Sequence, residues 1–351
     1  MKTQILSHKQ RILYIDAMRG FTMILVVMGH VMIDSFNLER TSAICQFFTS
    51  FRMPLFFFIS GYIAYKTSEL WTPSFYLKRI KKKAFVQIVP ALLFFTLHFF
   101  YVGHRSFKEL TQYITNVGFG GYWFTFVLFE MFIIFFTISF ISKYTHNKVT
   151  DILLILVCFF LLYFVHSDLN PQLGFLNLDN LFNYFKFFTF GVLCKKYYSV
   201  FYKIINNDII RAIIISSFFI SYFLVINNIF FNQSYNLHML FKNYIIRGAG
   251  LLTVFIFFYR KSSFFEGKNS ISQTLQFIGK RTLDIYLLHY FLIPHISFNI
   301  SYTDMGAIQF TLSLIISLII IMICILLSEI IRSSSILAHY CFGIDIKTRN
   351  K

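Results

Sequence analysis

Near its N terminus the chain reads DAMRGFTMILVVMGHVMIDSF over residues 16–36. A membrane-spanning helix needs about 20 mainly apolar residues, because it must cross a hydrocarbon core about 30 Å thick. No small-residue cleavage site closes this run, so we predict a retained helix and not a cleaved signal peptide. Three polar residues, Asp16, Arg19 and His30, interrupt the run, although charged and polar side chains are unfavourable inside a bilayer.

Similar apolar runs recur along all 351 residues of the chain. Hydrophobic residues make up 57% of it, charged residues make up 13%, and the mean hydropathy is +0.64. Soluble domains contain about 25% charged residues. We therefore predict an all-α polytopic membrane protein in which residues 1–351 form a single transmembrane domain. The predicted spans, about ten in number, are 16–36, 44–65, 84–102, 122–142, 151–166, 180–198, 209–231, 244–260, 275–298 and 307–331.

Basic residues are concentrated in alternate loops. The loops of one set hold nearly all lysines and arginines, whereas the opposite set holds only Arg40, Arg105, Lys108 and Lys242. Because cytoplasmic loops carry this excess, we predict cytoplasmic termini and a multi-pass protein of the cell inner (cytoplasmic) membrane. The net charge of +17 is then explained by topology and anionic lipids. We expect membrane lipids, and no nucleic acid, among the partners.

Arg19 and His30 share one face of the first predicted helix. At about 100° per residue, their spacing returns the side chain to within roughly 20° of the same direction, about 16 Å along the axis. Asp16 can pair with Arg19, and Asp34 can orient the His30 imidazole. A positioned histidine can accept a proton from a hydroxyl, and a fixed arginine can hold a phosphate. Taken singly, each residue is equally well explained by a hydrogen bond between helices or by contact with lipid headgroups.

A second motif, FRMPLFFFISGY, occupies residues 51–62. Pro54 removes a backbone donor, so we expect a bent or broken helix there. Ser60 and Gly61 permit close packing of helices. Packing does not explain Arg52, which lies in the outer third of the predicted span and needs a partner.

The densest basic cluster, YLKRIKKKAF, occupies residues 76–85. It places Arg79, Lys82 and Lys83 at the cytoplasmic entrance of the third predicted span. These side chains could bind the phosphates of a nucleotide-bearing donor. Charge alone explains them equally well as a topology anchor.

Two later segments, GYWFTFVLFE at 121–130 and RTLDIYLLH at 281–289, contain further polar residues. The candidates there are Tyr122, Trp123, Glu130, Asp284, Tyr286 and His289. Trp123 fits the aromatic belt at a membrane interface, whereas Glu130 and His289 lie within predicted spans and have no such explanation. The five cysteines show no CxxC spacing, so we predict no metal site.

Taken together, RILYIDAMRGFTMILVVMGH at 11–30 and FRMPLFFFISGY resemble the opening of the acyltransferase family three membrane proteins. Those proteins are ten-helix O-acyltransferases that modify sugars of cell-envelope polysaccharides, and fucose O-acetylase-like proteins share the same opening. The family's basic residue and histidine, separated by ten residues, are matched by Arg19 and His30. Its basic entrance to the third helix is matched at Arg79, but the second arginine of that pattern is Lys82 here, which cannot make a bidentate phosphate contact. The segments 121–124 and 278–289 resemble later patterns of the family.

The resemblance implies a membrane O-acyltransferase, and we expect an O-acetyltransferase. It implies acetyl-CoA as a donor that enters from the cytoplasm, no tightly bound cofactor, and a sugar hydroxyl of a cell-envelope glycan or lipid-linked sugar as acceptor. His30 would act as general base or transient acyl carrier, and Asp16 would orient Arg19. Donor phosphates would contact Arg19, Arg79, Lys82 and Lys83. Residues expected to shape the acceptor side or to support the site are Arg52, Glu130, Tyr286 and His289.

The alternative function is a transporter or flippase for a lipid-linked sugar or a polar solute, because buried Arg, His and Glu residues also mark transport pathways. Transporters commonly show inverted repeats with paired broken helices. Pro54 has no counterpart in the second half except Pro294, which lies near a span end. This asymmetry favours the enzyme. A structural subunit would not need an aligned Arg–His pair.

Overall fold

The computed structural model describes residues 11–36, 43–66, 71–117, 120–142, 147–165, 177–227, 241–294 and 306–345. Within these ranges the chain is helical and has no strand. The α-helices are α1 (Leu13–His30), α2 (Ala43–Ala64), α3 (Pro73–Leu97), α4 (Phe107–Val117), α5 (Trp123–Ile141), α6 (Asn147–Val165), α7 (Leu178–Lys196), α8 (Tyr198–Asn206), α9 (Asp208–Ile226), α10 (Arg247–Arg260), α11 (Ser262–Phe265), α12 (Ser270–Lys280), α13 (Thr282–Leu288), α14 (Gly306–Ser333) and α15 (Ser335–Phe342). Short π-helical segments, Val31–Ser35, His98–Val102 and Phe241–Ile246, extend α1 and α3 and precede α10.

Seven helices are long and apolar enough to cross a membrane. They are Leu13–Ser35, Ala43–Ala64, Pro73–Val102, Gly120–Ile141, Asp208–Ile226, Phe241–Arg260 and Ile308–Ser333. They coincide with seven of the predicted spans, so the protein is a multi-pass all-helical membrane protein. Among the remaining predicted spans, 151–166 corresponds to α6, and 180–198 corresponds to α7, which carries Lys186 and ends in Lys195 and Lys196. The end of span 209–231 lies outside the described residues.

The predicted span 275–298 is not one helix. α12 ends at Lys280, Arg281 leaves the helical conformation, and α13 begins at Thr282. A 3₁₀ turn over His289–Phe291 follows α13, and residues 295–298 lie outside the described ranges. The hydrophobic pattern did not reveal the break, which lies at Arg281, and the Arg281 side chain pairs with Glu329 of α14, a residue distant in sequence.

The Pro54 prediction was also wrong in part. α2 continues through Pro54 to Ala64 without a break. α3 likewise continues through Pro90. Transmembrane helices tolerate proline where neighbouring groups satisfy the freed carbonyls.

Glycines permit the two closest helix crossings. A side-chain carbon on Gly20 of α1 would collide with the carbonyl oxygen of Leu275, and one on Gly279 of α12 would collide with that of Asp16. The second crossing joins α2 and α7, where Gly61 and Gly191 lie against the backbone of the opposite helix. Such small residues allow backbones to approach closely where lipid supplies no hydrophobic drive for association. The predicted role of Gly61 in packing is therefore confirmed.

Different contacts mark the two ends of the helix bundle. Tyr14 at the start of α1 packs on Tyr259 at the end of α10, and Lys195 near the end of α7 lies over Tyr62 near the end of α2. We call this end the basic face. At the opposite end, which we call the far face, Tyr222 of α9 donates a hydrogen bond to the carbonyl oxygen of Ala43 at the start of α2.

Candidate active site

A cavity of about 420 Å³ lies between α1, α2, α3, α5 and α13. Its lining changes from charged to apolar. The cationic residues are Arg19, Lys66, Arg79 and Lys83. The uncharged polar residues are Ser60, Gln87, Thr125, Thr282 and Tyr286. The apolar wall includes Met23, Val26, Met53, Phe56, Phe124, Leu128 and Phe132. A cavity with a few cations at one side of an apolar wall fits an amphipathic ligand with a negatively charged end.

Aromatic rings hold two of the cations. The Lys83 amine lies 3.5 Å from the centre of the Phe132 ring, and the Arg79 guanidinium lies 5.1 Å from the centre of the Phe75 ring. Cation–π contacts of this kind fix a side chain while leaving its positive charge in place. The charge is therefore available to an anionic ligand in the cavity.

Lys82 does not share this position. It is exposed and does not line the cavity. The cavity-facing stripe of α3 consists of Arg79, Lys83, Val86 and Gln87, whose spacing of three and four residues defines one helix face. Lys82 lies beside that stripe and contributes charge at longer range.

Lys66, just beyond the end of α2, completes the cationic lining. Burial lowers the pKa of its amine, and the charges of Arg79 and Lys82 lower that pKa further. Sequence patterns did not single out Lys66, because a lysine after a span is the usual topology signal.

Arg19 is fixed by a residue that the sequence did not reveal. Its Nη2 donates a hydrogen bond of 2.7 Å to the Thr282 hydroxyl at the start of α13. The predicted partner, Asp16, is 3.8 Å from Arg19 Nη1, whereas it is only 2.7 Å from the Nε of Arg11. Asp16 therefore pairs mainly with Arg11, and the Thr282 hydroxyl sets the direction of Arg19.

His30 lies outside the cavity, in a cluster near the far face. Its Nε2 is 3.0 Å from the hydroxyl of Tyr290, and its Nδ1 is 3.4 Å from the carboxylate of Asp34. The Tyr290 hydroxyl is also 2.9 Å from the carbonyl oxygen of Gly121. A carboxylate at Nδ1 favours the tautomer with the proton on Nδ1, which leaves Nε2 as the proton acceptor. The single proton of the Tyr290 hydroxyl is then donated to Nε2, and the Gly121 carbonyl oxygen keeps the hydrogen bond from Tyr286. The prediction that Asp34 approaches the imidazole is confirmed.

The ring of His289 lies 5.4 Å from the ring of His30, measured between their centres. His289 is fully buried, and its Nδ1 contacts the carbonyl oxygens of Tyr286 at 2.8 Å and of Ile285 at 3.1 Å. Carbonyl oxygens only accept, so Nδ1 carries the proton and Nε2 presents a lone pair. No hydrogen-bond partner for His289 Nε2 is found among the described residues.

Arg52 of α2 reaches α1 one turn before His30. Its Nη1 donates a hydrogen bond of 3.1 Å to the carbonyl oxygen of Leu25. Gly29 makes room for this contact, because a side-chain carbon there would overlap the Arg52 guanidinium. Gly29 therefore leaves room for the guanidinium of Arg52, the arginine of the FRMP motif.

The remaining predicted residues take different positions. Tyr286 lines the cavity and donates a hydrogen bond of 2.7 Å to the Gly121 carbonyl oxygen. Glu130 lies on α5 away from the cavity lining, and its Oε2 has no hydrogen-bond partner among the described residues. Tyr286 thus links the cavity to the His30 cluster, whereas Glu130 belongs to neither.

Asp284 fixes α13 against α14. Its carboxylate accepts hydrogen bonds from Arg332 Nε at 2.8 Å and from the Ser328 hydroxyl at 2.5 Å, and Arg281 approaches at 3.6 Å. A buried carboxylate with these partners holds the segment rigidly. Thr282 at the start of α13 contacts Arg19, and Tyr290, just beyond the end of α13, contacts His30.

Thr282, Tyr290 and Arg11 were missed at the level of sequence. Each bonds to a residue in α1, yet Thr282 and Tyr290 lie about 260 positions further along the chain. Thr282 lies within the polar segment 281–289, and Tyr290 directly follows it. This position was the only sequence feature that pointed to these two residues.

Among groups of three or more His, Cys, Asp and Glu side chains in the described residues, none is arranged to hold a metal ion. The candidate site consists of the cationic cavity, the His30 cluster and the segment that contacts both.

The sequence was compared with families and with individual proteins. Residues 12–329 match an acyltransferase domain, acyltransferase family 3. No curated protein and no solved structure matches the chain. The matched region contains α1, the cavity, the His30 cluster and nearly all of α14. The chain therefore belongs to acyltransferase family 3 and is a multi-pass membrane acyltransferase.

Proposed function

We propose that this protein is an O-acetyltransferase that moves an acetyl group from cytoplasmic acetyl-CoA to a sugar hydroxyl of a cell-envelope glycan or a lipid-linked sugar. One observation carries the proposal: the same two segments meet at both the cavity and the histidine. Arg19 contacts Thr282 at 2.7 Å, and His30 contacts Tyr290 at 3.0 Å. This arrangement aligns a phosphate-binding cavity with a base along one helix face.

The donor would enter the cavity from the basic face, which we propose is cytoplasmic, like both termini. The phosphates of acetyl-CoA would contact Arg19, Lys66, Arg79 and Lys83, because charge-assisted bonds to phosphate are the strong ones. Its pantetheine arm would lie along the apolar wall and bring the thioester towards Tyr286. Lys82 would add to the attractive potential without direct contact.

The acceptor would approach His30 from the far face, in an inner (cytoplasmic) membrane. In the transfer step, the acceptor hydroxyl gives its proton to His30 Nε2 and its oxygen attacks the thioester carbonyl. The bond between carbonyl carbon and sulfur then breaks, and the CoA thiolate takes the proton from His30. Asp34 would stabilise the imidazolium, as carboxylates do beside catalytic histidines.

His30 can instead carry the acetyl group itself. Attack by Nε2 on the thioester would give an acetyl-imidazole, which the sugar hydroxyl would then resolve. The two routes differ in one measurable respect, since only the second places the acetyl group on the protein.

The experiment is a transfer assay with purified protein in lipid nanodiscs and radiolabelled acetyl-CoA, using a membrane extract of the source cells as acceptor. The proposal expects label in the glycan or lipid fraction with the unmodified protein and none with Arg19→Met/His30→Ala. Protein that retains label after rapid gel filtration at neutral pH, before acceptor is added, would select the acyl-carrier route. Folded protein that neither binds acetyl-CoA nor releases CoA would refute the proposal.

Family membership favours this activity over transport. A flippase would move a lipid-linked sugar without consuming a donor, whereas the transferase releases free CoA in proportion to product. Quantifying CoA thiol therefore separates the two functions in the same assay.

A further inference from the structure

A second group of cations lies apart from the cavity. Lys186 of α7 and Arg247 of α10 are close enough to repel each other electrostatically. The Lys186 amine is 3.9 Å from the centre of the Tyr244 ring, and the Arg247 guanidinium is 5.7 Å from the centre of the Tyr184 ring. Neither residue lines the 420 Å³ cavity.

Lys186 lies in α7 and Arg247 lies in α10, within the membrane domain. The ion pairs found among the described residues leave out Lys186 and Arg247. Charged residues at such depth are unfavourable unless they are paired or serve a ligand. Two neighbouring cations repel each other, so helix packing alone gives no reason to keep both. Their arrangement is what an anionic ligand requires.

Flat aromatic rings adjoin the two cations. The Tyr184 ring stacks on Trp123 at 5.9 Å with an angle of 22° and on Phe57 at 5.1 Å with an angle of 25°. Trp123 and Tyr184 are half-buried. Beside Gly248, the space for a side-chain carbon is open as well. Rings of this kind offer a rigid apolar surface to the C–H face of a sugar ring. We refer to Trp123, Tyr184, Tyr244, Lys186 and Arg247 as the aromatic–cation cluster.

The cluster adjoins the wall of the candidate active site. Trp123 follows Gly121 by two residues, and the Gly121 carbonyl oxygen lies 2.9 Å from the hydroxyl of Tyr290, the partner of His30. Phe124, which lines the cavity, contacts both Phe57 at 4.9 Å and Tyr286 at 5.6 Å. A sugar on the cluster would therefore lie next to the candidate active site.

We propose that the aromatic–cation cluster is a binding subsite for a negatively charged sugar, whose ring packs on Trp123 and Tyr184 and whose carboxylate or phosphate is held by Lys186 and Arg247. The identification of this sugar as the acceptor rests on the proposed function, whereas its binding does not. The acceptor glycan is accordingly acidic or phosphorylated at this unit.

Tryptophan fluorescence tests the binding directly. The chain contains two tryptophans, Trp71 and Trp123, so Trp71→Phe leaves Trp123 as the sole reporter. This full-length variant in nanodiscs is titrated, without any acyl donor, with glucuronate, glucose 6-phosphate, glucose and inorganic phosphate. We expect a saturable change with glucuronate or glucose 6-phosphate, and the stronger of the two identifies the anion as carboxylate or phosphate. Glucose and inorganic phosphate, which each lack one half of the ligand, should bind roughly tenfold more weakly or worse.

Substitutions that remove one positive charge at a time supply the matched comparison. Lys186→Met and Arg247→Met should each raise the Kd for the charged sugar roughly tenfold or more, and Lys186→Arg should restore binding. Lys195→Met is the control, because Lys195 also lies on α7 over tyrosine rings, but near the basic face. It should leave the Kd within about twofold. Thermal unfolding of each variant confirms that the protein is folded.

The proposal is overturned if neither charged sugar gives a saturable change, if glucose binds as tightly as the stronger of the two charged sugars, or if Lys195→Met weakens binding as much as Lys186→Met. Since no donor is present, these outcomes are independent of the transfer assay. Sugar binding without acetyl transfer would refute the proposed function alone, and transfer without charge-dependent sugar binding would refute this subsite alone.

Discussion

The two ends of α1 carry the two halves of the candidate site in opposite environments. At Arg19, four cations line a cavity of about 420 Å³. At His30, the neighbours are Tyr290, the ring of His289 and the carboxylate of Asp34, in a closely packed cluster. The difference teaches that a shared helix face does not mean a shared pocket. One end is suited to holding phosphate, and the other is suited to moving a proton.

The largest expected effect comes from removing the base. His30→Ala should lower acetyl transfer about 10²–10⁴-fold, because the positioned general base is lost. Acetyl-CoA binding, measured by isothermal titration, should stay within about twofold because His30 does not line the cavity. His104→Asn is the control, since His104 is exposed and its positive φ suits asparagine. A large rise in the Kd for acetyl-CoA in His30→Ala would contradict the assignment of donor binding to the Arg19 end of α1 alone.

The segment shared by both ends provides the second test. Asp284→Ala leaves Arg332 without its buried carboxylate and should lower the free energy of unfolding by about 3–5 kcal/mol. The measurement is unfolding by SDS titration in mixed micelles. Asp208→Ala is the matched control, because the Asp208 side chain is 79% exposed and exposed pairs contribute only about 0–1 kcal/mol. An equal effect of both substitutions would show that Asp284 does not anchor α13.

A third test concerns only the cavity end. Lys83→Met keeps an apolar stem against Phe132 but removes the charge, and should raise the Kd for acetyl-CoA about tenfold. Lys82→Met removes a charge one residue away that does not line the cavity, so the Kd should change less than about threefold. Transfer at saturating donor should be unaltered in both variants. If Lys82→Met has the larger effect, the cavity is not the donor site.

The smallest expected effect lies at the histidine end. Tyr290→Phe deletes the hydroxyl between His30 and Gly121 while keeping the ring, and should lower kcat about 3- to 10-fold by loosening the imidazole. The KM for acetyl-CoA should not change, because Tyr290 does not line the cavity. Tyr113→Phe, in α4, is a control outside this cluster. A rise in KM without a fall in kcat would move Tyr290 from positioning the base to binding the donor.

Much of this architecture follows from local sequence patterns. Long apolar runs predicted the seven helices able to cross a membrane, and helical periodicity placed Arg19 and His30 on one face. The contacts of these two residues could not be predicted, because Thr282 and Tyr290 are distant in sequence and carry no pattern that names their partners. For the same reason 275–298 was predicted as one span, although the helix is interrupted at Arg281, whose side chain pairs with Glu329. The face of α3 that excludes Lys82 is set by packing against neighbouring helices, which sequence periodicity alone does not reveal.

The contact between Gly20 and Gly279 also limits how the protein can move. With the two backbones touching, α1 cannot rotate or slide against α12 without a collision. The two helices therefore act as a fixed wall. Gly61 and Gly191 hold α2 against α7 in the same way, so a widening that admits a molecule as large as coenzyme A would come from α3 and α5. Substrate entry would thus be a one-sided opening, quite unlike the symmetric rocking of two halves in a transporter.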